Sequence, residues 1–257
     1  MKPFDISIII VTYNSEKYIS ACLESIFNLS DNLKKEIIIV DNNSIDSTKD
    51  KISLYKNKVR ILENSINSGY AGGNNIGANK ANGEFLVFLN PDITVTNSSF
   101  AVLKEYLETN TDVGAVGPGL LYPNGTMQQY YCNYYSVLSI FFRRTILGKI
   151  FSSYLSHPLQ KTTSVPVEID WILGAFIMIP FKTWEVLGGF DSKYKLYFED
   201  VDLCCRIKKS GLKNIYNPHA VVYHHHLRES ASKISKKTLW HIQSSMRFFN
   251  KFGWRIF

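Results

Sequence analysis

Three acidic residues stand where an enzyme could use them for metal binding or proton transfer. Asp92 follows Pro91 directly after an apolar run, and Glu199 and Asp200 are adjacent at the start of a helical pattern. A lone carboxylate is a common oxygen ligand for Mg²⁺ or Mn²⁺. Neighbouring carboxylates repel each other, which raises the pKa of one of them and favours a general base. Acidic residues also favour helix N-termini, so a structural role for the pair stays open.

Three consecutive histidines end the last apolar run of the sequence. Because side chains of a strand alternate between its faces, His224 and His226 share one side and His225 lies on the other. One of them can complete the coordination of a metal held by Asp92. The alternative interpretation is that they are surface histidines after an edge strand.

A glycine-rich segment, residues 67–85 (NSGYAGGNNIGANKANGEF), lies at the start of a helical pattern. Its glycines allow a helix N-terminus to approach a ligand such as a diphosphate. Close packing of a helix on a sheet would explain them equally well. The segment is not GxGxxG, so the dinucleotide-binding fingerprint is absent.

The elements that must position these residues form an alternating pattern in the first 120 residues. β-rich runs at 6–12, 36–41, 59–63, 84–90 and 113–117 alternate with helical patterns at 15–28, 46–55, 71–82 and 98–109. Such alternation predicts right-handed βαβ units and an α/β fold with a Rossmann-like, open, twisted, mostly parallel sheet. Further on, the sequence predicts a strand pair near 167–180, helices at 181–187 and about 200–210, and a last strand at 220–226.

Polar clusters follow three of the predicted strands, at the edge where such sheets bind their ligands. They are Thr12-Tyr13-Asn14, the run from Asp41 to Ser44, and Asn90-Pro91-Asp92. Each cluster alone is typical of a turn or a helix cap. Three of them at one edge of a sheet indicate a binding cleft.

Composition and charge narrow the range of partners. The net charge of +7 indicates anionic partners: nucleic acid, acidic lipid or a phosphorylated small molecule. The four cysteines show no metal-ligand spacing and are typical of reduced thiols in a cytosolic protein. Residues 137–155 and 247–257 mix apolar or aromatic residues with basic ones, which suits helices that lie on a membrane surface or amphipathic helices that are half-buried in the protein.

Five segments occur in the order that is found in family 2 glycosyltransferases, and the chain resembles the bacterial rhamnosyltransferase-type members of that family most. The segments are SIIIVTYNSEKYISACLESI, EIIIVDNNSIDST, NSGYAGGNNIGANKANGEFLVFLNPDI, WILGAFIMIPFKTWEVLGGFDSKYKLYFEDVDLCCRIKKSG and AVVYHHH. This resemblance covers roughly residues 5–250. It implies a GT-A fold, a nucleotide-diphospho-sugar donor, a Mg²⁺ or Mn²⁺ ion, and inverting transfer by direct displacement.

The resemblance also implies roles for single residues. Asp200 matches the general base, with Glu199 beside it, and Trp171 and Gly174 match the segment that faces the donor sugar and the acceptor. The residues that match the donor-binding motifs are Thr12, Tyr13, Asn14, Asp41, Asn43, Asn67, Gly69, Gly73, Asn74 and Asn90.

The metal ligands implied by the resemblance are Asp92 and one of the terminal histidines, of which we favour His224. Two features depart from the family pattern. Asn90 replaces the first acid of the DxD-type motif, which leaves the metal more dependent on phosphate oxygens. Residues 227–229 read Leu-Arg-Glu where many relatives have glycines, so the choice among the histidines stays open.

The function that follows is transfer of a sugar to a hydroxyl group of a surface polysaccharide or a lipid-linked glycan, with dTDP-rhamnose as the first donor to test. Within one continuous domain, residues 1–120 are expected to bind the nucleotide sugar and residues 121–257 to supply the base and the acceptor side. We expect a cytoplasmic protein on the anionic inner face of the cell membrane, where a polyprenyl-diphosphate-linked acceptor would lie, and no nucleic-acid partner.

Two other functions are alternatives for this sequence. A sugar nucleotidyltransferase predicts a glycine-rich loop with a basic residue after the first strand, where this chain has Tyr13-Asn14-Ser15-Glu16. A non-catalytic protein that binds anionic lipid or nucleic acid gives no reason for carboxylates at the strand ends.

Overall fold

The computed structural model describes residues 2–128, 163–225 and 236–254. Its strands are β1 (Phe4–Thr12), β2 (Lys35–Asp41), β3 (Arg60–Glu63), β4 (Gly83–Leu89), β5 (Ile93–Val95), β6 (Val113–Leu121), β7 (Val167–Ile169), β8 (Phe176–Pro180) and β9 (Lys213–His224). Its helices are α1 (Ile19–Phe27), α2 (Thr48–Ser53), α3 (Gly69–Ala78), α4 (Ser99–Thr109), α5 (Phe181–Leu187), α6 (Glu199–Lys209) and α7 (Lys236–Phe252).

The strands form one mixed sheet in the order β3-β2-β1-β4-β8-β6-β9-β5, and β7 pairs with β9. β3, β2, β1 and β4 are parallel neighbours, as are β6 and β9. β8 runs antiparallel between β4 and β6, and β5 and β7 pair antiparallel with β9. The predicted α/β fold class is therefore confirmed, and the antiparallel strands belong to the part of the chain that follows β4.

The inner strands of the parallel region, β1, β2 and β4, are buried along most of their length, whereas the edge strand β3 stays partly exposed. Ile8, Ile9 and Ile10 of β1 have no exposed surface, which explains why this strand lacks the alternation of a half-exposed one. Helix α3 lies very close to β1 because it carries glycines there. A Cβ at Gly73 would come within 2.6 Å of Val11, and one at Gly77 within 2.5 Å of Ile9.

Several predicted boundaries were wrong. The helix predicted at 15–28 begins at Ile19, because residues 15–18 form a turn in which the Ser15 amide donates to Thr48. The last strand begins at Lys213 rather than at 220, and the sequence did not predict β5 or the full length of α7.

Some predictions fall on undescribed parts of the chain. The segment 137–155, His226 and residues 255–257 lie outside the described residues. Among the helices that the structure describes, none has the length and apolar character needed to cross a membrane.

Candidate active site

The polar clusters after β1 and β2 meet at one edge of the sheet. Thr12 and Asp41 are partners in the parallel register of the two strands, and the Thr12 hydroxyl donates to Asp41 Oδ1 at 3.0 Å. Asp41 is fully buried, and it also accepts bonds from the Ser44 hydroxyl at 2.5 Å and the Ser44 amide at 3.0 Å. Lys49 Nζ lies 3.8 Å from Asp41 Oδ2. The Asp41 carboxylate is thus held rigidly where the two strands end.

The loops after β1 and β2 are bonded to each other. The Asn14 amide donates to the Ser44 hydroxyl at 3.0 Å, and Asn14 Oδ1 accepts from the Ile45 amide at 3.0 Å. Both Asn14 and Asn43 have left-handed backbone conformations, with φ of 52° and 62°, which asparagine tolerates better than most residues. Tyr13 remains half-exposed between them. This arrangement leaves an aromatic ring free to contact a ligand on a rigid two-loop platform.

Asn42 joins the platform to the glycine-rich segment, although the sequence did not single it out. Its Nδ2 donates to the Gly69 carbonyl at 2.9 Å, and its Oδ1 accepts from Asn64 at 2.7 Å and Ser68 at 2.9 Å. Oδ1 of the exposed Asn67 accepts a hydrogen bond from the Gly69 amide at 2.9 Å. The backbone of Gly69 has a φ of 73°, a conformation that favours glycine. The start of α3 therefore lies against the ends of β2 and β3.

Two donor-site predictions within α3 fall on buried positions. Gly73 lies against Val11, so close packing of α3 on β1 explains why a residue without a side chain occurs there. Asn74 is buried, donates to the Tyr70 carbonyl at 3.0 Å, and has no hydrogen-bond partner for its Oδ1 among the described residues. Their contact with a donor stays a prediction.

Asp92 and His224 lie side by side, because β5 pairs with β9 so that Ile93 faces His224. His224 Nε2 is 3.5 Å from Asp92 Oδ1, and the His225 amide donates to the Asp92 carbonyl at 2.8 Å. The His225 ring lies on the other side, 3.1 Å from the Thr94 hydroxyl. His224 is therefore the described histidine that faces the predicted metal carboxylate.

Gln128 fixes the orientation of His224. Gln128 Oε1 is 2.8 Å from His224 Nδ1, and Gln128 Nε2 donates to the His224 carbonyl at 2.9 Å. Since a carbonyl oxygen only accepts, Nδ1 carries a proton, and Nε2 is the ring nitrogen that faces Asp92. That arrangement suits a shared metal ligand pair. No group of three or more His, Cys, Asp or Glu residues that could hold a metal is found within the described ranges.

The acidic pair stands at the start of α6, behind two residues with unusual backbones. Tyr197 and Phe198 have φ of 64° and 70°, and consecutive left-handed residues other than glycine are costly and cluster at functional sites. Asp200 Oδ2 accepts from the Gly174 amide at 2.8 Å, and Oδ1 accepts from the Val201 amide at 2.9 Å. The helix N-terminus adds a further favourable field for a negative charge.

Glu199 and Asp200 differ in their environments. Burial, followed by the neighbouring charge of Asp200, raises the pKa of Glu199 to about 8. Glu199 Oε2 has no hydrogen-bond partner among the described residues. Burial also raises the pKa of Asp200, but its two amide donors favour the ionised form. Burial thus opposes a charge on both carboxyl groups, and Asp200 differs from Glu199 in having two amide donors that support its ionised form.

The segment 171–175 connects the acidic pair to the Asn90 loop. The Gly174 amide contacts Asp200, and the next carbonyl, that of Ala175, accepts the Asn90 amide at 2.9 Å. The structure also brings Tyr70 here, which the sequence did not single out, and its hydroxyl donates to the Gly174 carbonyl at 2.5 Å. Trp171 is buried, so contact between its ring and an acceptor stays a prediction.

Asp202 holds the surrounding elements together rather than serving as a base. It is fully buried and accepts from Arg206 Nε at 2.6 Å, Lys251 Nζ at 2.6 Å and the Tyr194 hydroxyl at 3.1 Å. Arg247 and Lys251 of α7 also contact Asp191, at 2.7 Å and 3.2 Å. α7 is thus fastened to α6 and to the loop that leads into it.

Comparisons with known proteins identify the family to which the chain is similar. Residues 7–157 match the family model described as Glycosyl transferase family 2. Rhamnosyltransferase WbbL of Escherichia coli (strain K12) is 28% identical over 250 residues, which cover 94% of this chain and 91% of that protein. The N-acetylglucosaminyl-diphospho-decaprenol L-rhamnosyltransferase of Mycobacterium tuberculosis (strain ATCC 25618 / H37Rv) is 25% identical over 238 residues, which cover 85% of this chain and 75% of that protein.

Solved structures show the same fold. GalNAc-T7 with UDP, GalNAc and Mn²⁺ superposes with a TM-score of 0.71 at 17% identity, over 97% of this chain and 50% of that one. Mannosyltransferase PcManGT from Pyrobaculum calidifontis, in complex with GDP-Man and Mn²⁺, gives 0.67 at 18% identity, over 96% of this chain and 64% of that one. The chain thus spans one half to just under two thirds of these two solved chains, and the fold is the expected GT-A fold.

Proposed function

The chain belongs to glycosyl transferase family 2, and from this premise we propose that it is a metal-dependent, inverting glycosyltransferase whose general base is Asp200. The observation that supports this most is the connection through residues 174–175. The Gly174 amide holds Asp200, and the Ala175 carbonyl holds Asn90 of the loop that carries Asp92. A base and a metal carboxylate are therefore linked within one short segment.

In the proposed mechanism Asp200 takes the proton of an acceptor hydroxyl group. The oxygen attacks the anomeric carbon on the face opposite the leaving nucleoside diphosphate, so the configuration inverts. Glu199 stays protonated, which avoids a second negative charge beside the base. The Gly174 and Val201 amides keep the Asp200 carboxylate in one orientation through the transfer.

Asp92 and His224 are the residues that would hold the divalent cation. Their facing atoms, His224 Nε2 and Asp92 Oδ1, lie 3.5 Å apart, so the donor set fits a hard to intermediate ion such as Mg²⁺ or Mn²⁺. Bound there, the cation would neutralise charge that develops on the leaving diphosphate. Asn90 contributes no charge, so the diphosphate oxygens are needed as ligands.

The donor would lie along the platform of Thr12, Tyr13, Asn14, Asp41 and Asn43 and the start of α3. Within this proposal residues 1–120 bind the nucleotide sugar, and residues 121–257 supply the base and the acceptor side. Rhamnosyltransferases among the relatives support dTDP-rhamnose as the donor. The relative that is named for GlcNAc-diphospho-decaprenol supports a polyprenyl-diphosphate-linked glycan as the acceptor. The family match does not favour a nucleotidyltransferase or a non-catalytic binder.

A donor screen tests the proposal. The purified chain is incubated with Mn²⁺, a polyprenyl-diphospho-GlcNAc acceptor, and in turn dTDP-rhamnose, UDP-GlcNAc and GDP-mannose. We expect transfer from dTDP-rhamnose, with an inverted anomeric centre in the NMR spectrum of the product. A retained configuration, or no transfer from any donor, would contradict the proposal.

The replacement Asp92→Ala is expected to abolish the contribution of Mn²⁺ to nucleotide binding, because the ion loses its protein carboxylate. For the wild type, isothermal titration should give dTDP a lower Kd with Mn²⁺ than with EDTA, and for the variant the two values should converge. Gln128→Leu should weaken Mn²⁺ binding by about 10-fold or more, since it frees the His224 ring. Asp50→Ala, at an exposed position on α2, is the control and should behave as wild type. A Mn²⁺ effect that survives in Asp92→Ala would place the ion elsewhere.

Association with an anionic membrane surface belongs to the same proposal. Helix α7 exposes Leu239, Ile242 and Met246 and buries Phe248 and Phe249 nearer its end, and the whole chain carries a net charge of +7. We expect co-sedimentation with phosphatidylglycerol vesicles that weakens between ~0.05 and ~0.5 M NaCl, because salt screens the attraction. Equal binding to phosphatidylcholine vesicles would show that charge plays no part.

A further inference from the structure

Tyr70 lies between the donor platform and the acidic pair and is held there by packing. It is the second residue of α3, and its ring meets the ring of Phe190 edge to face, with centroids 5.5 Å apart. Phe190 packs in turn against Phe88 of β4 at 4.8 Å. Asn75 bonds both the amide and the carbonyl of Phe190, at 2.9 Å and 2.8 Å. Phe88 and Asn75 thus hold Phe190 in place, and Phe190 fixes the orientation of the Tyr70 ring.

The hydroxyl group of Tyr70 keeps its proton and can donate it in a hydrogen bond. Burial, followed by the charges of Asp200 and Glu199, raises its pKa well above the ordinary tyrosine value. It therefore stays protonated over the range in which proteins are stable, and it donates to the Gly174 carbonyl at 2.5 Å.

Gly174 is enclosed between Tyr70 and Asp200. A Cβ at this position would lie 3.2 Å from the Tyr70 hydroxyl oxygen and 3.3 Å from Asp200 Oδ2. Its carbonyl accepts from Tyr70, and its amide donates to Asp200 at 2.8 Å. Gly174 thus links Tyr70 of α3 to the Asp200 carboxylate through two backbone hydrogen bonds.

We propose that Tyr70 is a positioning residue for Asp200: by holding Gly174, it keeps the Gly174 amide on the carboxylate and couples the first turn of α3 to the base. The inference rests on the proposed function, in which Asp200 is the base and α3 borders the donor.

The other titratable groups that influence Asp200 are few within the described part of the chain. They are Glu199, Tyr70 and Cys204, and burial raises the pKa of the Cys204 thiol far above its usual value. Cys204 and Tyr70 therefore carry no charge near neutral pH, and Glu199 holds its proton. A weakened Gly174 contact should consequently appear as a change in the titration of Asp200 itself.

The test compares Tyr70→Phe with Tyr55→Phe. The Tyr55 hydroxyl donates to Glu24 of α1 at 3.2 Å. The Tyr55→Phe variant therefore removes a hydroxyl group that contacts neither Gly174 nor Asp200. With dTDP-rhamnose and the polyprenyl-diphospho-GlcNAc acceptor, we expect Tyr70→Phe to lower kcat about tenfold, the effect of one hydrogen bond of this kind. The Kd of dTDP should stay unchanged. The acid limb of the rate profile should move to higher pH, because the ionised form of Asp200 loses support.

A second readout needs no substrate. In protein labelled with ¹³C at the aspartate carboxyls, the Asp200 signal is assigned by its loss in Asp200→Asn and titrated with pH. Its pKa should rise in Tyr70→Phe and not in Tyr55→Phe. An unchanged Asp200 titration in folded Tyr70→Phe would overturn the inference. Failure of the wild type to transfer any sugar would instead count against the proposed function, and the titration would still decide the role of Tyr70.

Discussion

Replacing Asp200 by Asn is expected to lower kcat by about 10²- to 10⁴-fold, the usual contribution of a general base. Asn has the same size and keeps one oxygen for the amides, but it cannot take the proton of the acceptor hydroxyl. Donor binding should persist, because the proposed nucleotide platform lies on the loops after β1 and β2. The measurement is dTDP release at saturating substrates, together with the Kd of dTDP from isothermal titration. Turnover close to that of the wild type would remove Asp200 from this role.

Glu199→Gln is the matched control, because Gln imitates the protonated form of Glu. If Glu199 carries the proton, this variant should keep much of its activity while Asp200→Asn does not. The pKa of Glu199 is raised from 4.5 to about 8, so the folded protein holds a proton that the unfolded chain releases. Its contribution to the free energy of unfolding therefore falls as pH rises between these values. Glu199→Gln should gain stability relative to the wild type across this window, as measured by urea unfolding.

The replacement Asp202→Asn is expected to lower the free energy of unfolding by about 3 kcal/mol. Removing one partner of a buried ion pair typically costs about 3 to 5 kcal/mol, and we expect the lower end because Arg206 and Lys251 stay 17% and 33% exposed. For a chain of this size the loss corresponds to a Tm decrease of about 6 to 12 °C. α7 should also loosen, because Lys251 loses one of its two carboxylates.

Asp112→Asn provides the comparison for this experiment. Asp112 pairs with Lys213 at 2.5 Å, but the two side chains are 55% and 47% exposed. Ion pairs between exposed side chains contribute little to stability, so the Tm of this variant should hardly change. Calorimetry of the two variants in the same buffer distinguishes the cases, and equal Tm decreases would mean that the burial of Asp202 does not matter.

The parallel half of the fold could be predicted because its signal is local. β1, β2 and β4 are aliphatic runs, and polar residues mark the point where each one ends. The geometry of α/β sheets then places Thr12 and Asp41 at a common edge, as the structure confirms. β5 could not be predicted, since three residues form a strand there only because β9 lies beside them.

The supporting residues of the site could not be predicted from sequence patterns. Tyr70 contacts Gly174 across 104 positions, and Gln128 contacts His224 across 96. No local period or motif records such pairs, because they depend on how the sheet brings distant segments together. Asn42 was visible within a polar cluster, but its role as a link between β2, β3 and α3 depends on three separate contacts. The residue types indicated the chemistry of the site, whereas the residues that orient the proposed functional side chains can be identified only from tertiary contacts.

The short segment that joins the Asn90 loop to the base has a consequence for enzyme kinetics. Asn90 bonds the Ala175 carbonyl, and the preceding residue, Gly174, bonds Asp200. In the proposed mechanism, a donor that shifts the Asn90 loop as it binds should also shift Asp200 through the backbone of residues 174 and 175. Under the proposed mechanism we therefore expect an ordered sequential reaction, in which the nucleotide sugar binds before the acceptor, as measured by product-inhibition kinetics.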